Sequence, residues 1–529
     1  MAFISILFGE KEQQIYDKTK LENNKIEDKD KEPEYFKDLS LDHFVAELLK
    51  HKDKYNLKEY LFNPLSDRDT IYFRQEVMQD LERNDELFEK IKDFAHIIFD
   101  AVNNVENAIK YLKKTEGKGK NYLEKGRFLN SFIVYYSNIE IFEKSLHKFE
   151  LKSKGLIEFR KYISDYVNSS NFKNLLSEAQ ALQEELTKLK YSMLIKENCI
   201  KVRKYEKEED YTIEIEKIFE KFRDGEAKDY RKTFTEEPYA EHVEVGVLAL
   251  VAKLYPQTFS KLDNFYETNK NFVQEKLAKF SREIQFYIAY LEYIKKFKEL
   301  GLPFCYPEVV TNKKEIYGYE CFDIVLASKL IEQDKKIILN DFYLEKEERI
   351  IVVSGPNQGG KTTFARMFGQ LHYLSSLGYP VPARKAKLFL FDKIFTHFER
   401  EEKVQSLQGK LQNDLLRMKK ILDNATQNSI IIINEFLAST ALKDAVIIGK
   451  KIMDTLIKLD VLGVWVTFLD ELSSFNEKIV SMVSTVEPKD PVKRRFKIIR
   501  KPADGLAYAM HIAQQYGLIY EILKEKIKS

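Results

Sequence analysis

IVVSGPNQGGKTTF, residues 351–364, decides how this chain of 529 residues is read. A β-branched run ending at Val353 leads into Gly355-Pro-Asn-Gln-Gly-Gly-Lys-Thr362, and helical spacing follows. The pattern G-x-x-x-x-G-K-[ST] is that of a phosphate-binding loop. Its glycines let backbone N–H groups turn toward phosphate oxygens, and the helix N-terminus behind them adds positive potential. Gly355, Pro356, Asn357, Gln358, Gly359, Gly360, Lys361, Thr362 and Thr363 are therefore the expected nucleotide-binding residues, with ATP and Mg2+ the expected ligands. Lys361 is expected to reach the β- and γ-phosphates, and Thr362 to hold the metal.

About seventy residues on, SIIIINEFLAST (429–440) places four isoleucines before Asn434-Glu435. In ATPases with such a loop, a buried strand ends in an acidic pair. The first member bonds metal-bound water and the second polarises the attacking water. Glu435 fills the second role and is the expected catalytic residue. Asn434 fills the first with a neutral amide oxygen, so one negative charge beside Mg2+ is lost. The plainer reading is a buried strand whose end happens to be polar. The loop upstream weighs against it.

Working outward, short apolar runs (RIIVVSG, SIIIIN, LGVWVTF) alternate with helical segments from about Ile337. That is the pattern of an α/β domain with a mainly parallel, buried sheet. From Tyr35 to about Leu300 the spacing is almost wholly helical. FVQEKLAKFSREIQFYIAYLEYIKKF (272–297) brings Phe272, Leu277, Phe280, Ile284, Tyr287, Leu291 and Ile294 to one face. A second helix is expected from about Asn171 to Met193, and GKGKN (117–121) reads as a loop. Residues 10–33 are polar, charged and without period, as a linker is. Between the helices, residues 197–219 alternate apolar and polar positions, the texture of a small strand-bearing insertion. Residues 191–234 carry eleven basic and eleven acidic side chains, so composition marks no phosphate-binding patch there. Such an arm tip either touches a partner or merely caps the helices.

Lys+Arg (86) and Asp+Glu (84) nearly balance, so any nucleic-acid contact must come from local patches. Cys199, Cys305 and Cys321 show no paired spacing and read as reduced structural residues. MAFISILFG lacks a basic start and a small-residue cleavage site, and no apolar run approaches the ~18 residues of a membrane span. A cytoplasmic protein without a membrane partner is expected.

The loop with an internal asparagine, GPNQGGKTT, resembles that of the MutS family of DNA mismatch-repair ATPases. The likeness extends through Gly378, Pro380, Val381, Pro382 and Ala383, through FDKIFTHF (391–398), and through LAYAMHIAQQYGL (506–518). Upstream, LFNPLSDRDTIYFRQEV (61–77) is similar to the family's core-domain signature. The resemblance implies an ABC-type P-loop ATPase domain at 331–529. A largely α-helical core and lever region would precede it at 35–330, with a clamp-like insertion at about 195–235, after an N-terminal segment and linker at 1–34. It implies composite ATP sites in a homodimer, with Asp444 facing the second subunit, and DNA as partner. The departures matter equally. The family's mismatch-reading and connector domains have no counterpart before Tyr35. Gly409 stands where a serine reaches the partner's ATP, and Leu437-Ala-Ser-Thr440 replaces a glycine-rich turn. Phe468 replaces a γ-phosphate-sensing histidine. The expectation is a slow ATPase that binds branched or shape-distinct DNA rather than single mismatches. The alternative is a nucleotide-gated interaction protein with little hydrolysis and no DNA binding. An unrelated ABC-type or chromosome-maintenance ATPase fits less well, since the Ser-Gly-Gly signature of that class is not found here and that class lacks the Asn357 loop.

Overall fold

The computed structural model describes residues 5–9, 32–114, 122–196, 199–207, 238–399, 409–437, 440–487 and 490–503, with Leu518 and Tyr520. Most of the linker, the 117–121 loop, most of the 195–235 insertion and nearly all of the 506–518 tail motif lie outside the described residues. The chain falls into two compact units.

The first unit, within 85–151 and 157–282, is built of helices. Its main members are Asp85–Lys114, Tyr122–Leu146, Ser170–Thr187, Pro238–Leu254 and Pro256–Asn269. The Ser169 side chain caps the third by accepting from Phe172 N, and Pro256 opens the last without wasting an N–H. Aromatic rings fill the core: Phe94 stacks on Phe142 (3.9 Å) and Phe159 on Phe280 (3.6 Å). The helix expected to reach Met193 stops at Thr187, and Met193 lies in strand β1 (Tyr191–Lys196). β1 pairs antiparallel with β2 (Cys199–Lys204), Tyr191 opposite Lys204. The two-stranded ribbon thus begins earlier than the alternation in 197–219 indicates. Successive strand residues point to opposite faces. Ser192, Leu194, Lys196, Lys201 and Arg203 share one face, and Tyr191, Met193, Val202 and Lys204 share the other. These two strands carry four basic side chains and no acidic one.

The second unit, within 4–84, 152–156 and 283–529, holds two sheets. β3 (Glu308–Val310), β4 (Ile316–Cys321), β5 (Asn340–Leu344) and β7 (Lys385–Phe389) form one, in the order β3-β7-β4-β5. β3 and β4 precede the change of texture at Ile337. The larger sheet takes β6 (Ile350–Ser354), β8 (Ile394–Phe398), β9 (Ile430–Asn434), β10 (Leu462–Val466), β11 (Ile479–Glu487) and β12 (Asp490–Arg500). Their order is β12-β11-β6-β10-β9-β8, and only the β11–β12 pair is antiparallel. The isoleucines of β9 are buried on both faces, as a central parallel strand requires. Ile431 and Ile433 pack with Trp465, Met418 and Met453 from helices Lys410–Asn424 and Leu442–Lys458. Ile432 lies on the opposite face against helix Lys361–Ser376, where a Cβ on Gly369 would crowd it.

The stretch 61–77 fastens the far end of that helix. Leu65 N donates to Ser376 O (3.1 Å), and the buried Arg74 donates to Leu377 O (3.2 Å). Gly378 (φ +82°) leaves no room for a side chain against Arg74. Among the described residues, no helix is long and apolar enough to cross a membrane.

Candidate nucleotide site

β6, β9 and β10 end side by side, and the expected residues sit at those ends. Between β6 and helix Lys361–Ser376 the chain turns through positive φ at Gly355 (+111°), Gln358 (+56°) and Gly360 (+89°). Glycine adopts this region freely, whereas Gln358 pays strain for it. Gly359 is sterically required: a Cβ would overlap Ser484 Oγ, which donates to Gly359 O at 2.6 Å.

Lys361 lies in the first turn of the helix. Its Nζ donates to Gly355 O (2.9 Å) and Pro356 O (3.0 Å) and lies 3.5 Å from Asn357 Oδ1. The Phe468 ring centroid is 4.4 Å from the same atom. Burial lowers the Lys361 pKa to about 8; the Glu435 charge works against this, and Arg494 adds to it. The ammonium remains the main form at neutral pH.

Thr362 Oγ1 donates to Asn434 Oδ1 at 3.0 Å, so the two expected metal-site residues meet across the loop. Hydroxyl and amide oxygens suit a hard cation that takes its other ligands from phosphate and water. No cluster of three or more His, Cys, Asp or Glu among the described residues could hold a metal alone. Glu435 follows Asn434 with φ +55°, its N–H bonded to Val466 O (3.0 Å).

The structure thus brings Gly355 to Thr363, Asn434, Glu435 and Phe468 together. Gly409 and Asp444 take no part in these contacts. Each lies exposed at a helix start, and a Cβ on Gly409 meets nothing within 4 Å. Residues 400–408, 438 and 439 lie outside the described residues. Sequence reasoning missed Ser484 and Arg494, whose Nε donates to Asn357 O at 3.1 Å. Both belong to the β11–β12 hairpin, which lies beside β6 only because of the strand order. No local motif marks them.

A family model, MutS domain V, matches residues 351–528. A protein named DNA mismatch repair protein MutS from Thermotoga sp. (strain RQ2) is 29% identical over 206 residues, which is 37% of this chain and 26% of the relative. Its namesake from Petrotoga mobilis is 27% identical over 257 residues, covering 47% of this chain and 30% of the relative. That from Chlorobium phaeovibrioides is 25% identical over 232 residues, covering 43% and 26%. The chain spans between a quarter and a third of the length of these relatives.

Proposed function

From the match of residues 351–528 to MutS domain V and the likeness to MutS proteins, we propose that the chain is a MutS-family ATP-dependent DNA-binding protein, a cytoplasmic homodimer that hydrolyses ATP slowly. The observation that carries this reading is the convergence of the loop 355–360, Lys361, the Thr362–Asn434 pair and Glu435 at three neighbouring strand ends. Lys361 and the loop N–H groups bind the triphosphate. Thr362 and Asn434 would hold Mg2+, which would offset phosphate charge when bound. Glu435 takes a proton from water as the water oxygen bonds to the γ-phosphorus, and the β–γ bridging oxygen leaves with its electron pair. Asn434 brings no charge to the metal, and Phe468 offers no hydrogen bond to the phosphate, so turnover is slow.

DNA binding is supported by the ribbon of β1 and β2, whose one face carries Lys196, Lys201 and Arg203. The eleven-to-eleven balance across 191–234 averages over this, because most of its acids fall in 208–229, outside the two strands in sequence. Such a face grips phosphates rather than base edges, which suits DNA recognised by shape. The test measures ATPase rate and affinity with linear, mismatched and four-way-junction DNA at several salt concentrations. The account expects affinity that falls with salt, preference for the junction, and a DNA-dependent rate. Phe468 and the neutral Asn434 favour a second reading, a nucleotide-gated interaction protein. For that reading the same assay gives neither DNA affinity nor stimulation.

A further inference from the structure

Lys361 has three N–H donors and no lone pair. Its ammonium is surrounded by Gly355 O, Pro356 O, Asn357 Oδ1 and the face of the Phe468 ring. A phosphate oxygen that reaches Nζ must replace one of these. The two carbonyls belong to the loop itself and cannot leave without unwinding it. The ring is held differently. Phe468 is 48% exposed, so its side chain moves without opening the core. Its backbone neighbours are fixed: Thr467 N donates to Val353 O (3.1 Å), and Leu469 N donates to Thr467 Oγ1 (3.0 Å). The Asn357 amide, 3.5 Å away on an exposed side chain, can also turn aside, but only rotation about the Phe468 side-chain bonds uncovers the ring's side of the ammonium.

We propose that Phe468 is a positioning residue that gates the phosphate cradle: its ring caps Lys361 and swings aside when a polyphosphate enters. The inference rests on the nucleotide reading above. Its consequence is that the ring competes with the ligand, so wild-type affinity is lower than the cradle alone would give. An ammonium–ring contact at a half-exposed site is weak, and its loss on binding is worth about two- to fivefold in affinity.

The test is calorimetric titration of the full chain with ADP and with a non-hydrolysable ATP analogue, for wild type, Phe468→Leu, Phe468→Tyr and Lys361→Ala. Leucine keeps an apolar side chain without a π face, and tyrosine keeps the face. Phe468→Leu should bind both ligands about two- to fivefold more tightly, and Phe468→Tyr should match wild type. In steady-state kinetics the leucine variant should lower KM, and the tyrosine variant should restore the wild-type value. Equal or weaker binding by Phe468→Leu, with wild-type binding lost in Lys361→Ala, overturns the gate and leaves the nucleotide site standing. No binding by any of the four proteins, or binding that Lys361→Ala does not weaken, overturns the nucleotide reading and the gate with it.

Discussion

Glu435 holds a left-handed backbone conformation that non-glycine residues avoid, one residue beyond a strand buried on both faces. Strain of this kind persists where the surroundings impose it, and here the bond to Val466 O does so. Its neighbour Asn434 supplies an uncharged oxygen to Thr362. Asn434→Asp should restore a charge there and lower the Mg2+ concentration for half-maximal ATPase activity, as read from a magnesium titration. An unchanged midpoint would remove Asn434 from the metal site. Gly359 offers a second check. Gly359→Ala forces the loop and Ser484 Oγ apart and should weaken ADP binding roughly five- to a hundredfold, the scale of local backbone strain (~1–3 kcal/mol). Wild-type affinity in that variant would show that the Ser484 brace plays no part. The glycines, Lys361 and Thr362 could be read because the loop chemistry is local in sequence, and Glu435 because an unbroken isoleucine run ends beside it. Ser484 could not, since it stands 125 residues from its partner and carries no pattern.

Elements were legible where one period ran long, as in FVQEKLAKFSREIQFYIAYLEYIKKF, and failed where short segments changed period. YSMLIK reads as the end of a helix because Leu189 and Met193 continue the spacing of fours. Only its pairing with CIKVRK makes it a strand. The segment Ser5–Gly9, grouped by its sequence with a polar linker, is instead part of the second unit's core, with Ser5 to Phe8 buried. Glu283 accepts from Ser5 Oγ (2.8 Å) and Ile6 N (3.0 Å), Tyr287 donates to Ile6 O (2.7 Å), and Arg74 donates to Leu7 O (3.0 Å). Five apolar or small residues give no signal that two buried charges await them. Deleting residues 1–9 removes these partners from Glu283 and Arg74, a change expected to cost ~3–5 kcal/mol in urea unfolding. Ser5→Ala should cost ~1 kcal/mol. An unfolding midpoint unmoved by the deletion would mean that the segment does not anchor the core.

At the scale of the whole molecule, balanced charge concealed a basic ribbon, because acids outside the two strands cancel it in any sum over the insertion. The α/β pattern was readable from its buried runs, whereas the strand order that sets the hairpin on the loop was not. Composite ATP sites predict that ATP strengthens self-association, which light scattering reads as a rise in mass; a monomer with and without ATP contradicts the dimer. Slow hydrolysis driven by Glu435 is checked by a single comparison. Phosphate release is measured at saturating Mg2+ for wild type and Glu435→Gln, with and without four-way-junction DNA. Loss of a positioned general base costs ~10²–10⁴-fold, so the account predicts wild-type turnover well above that of Glu435→Gln, with ATP still bound by the variant. Wild-type turnover no higher than the Glu435→Gln background, under either condition, would make this chain a nucleotide-binding switch rather than an enzyme.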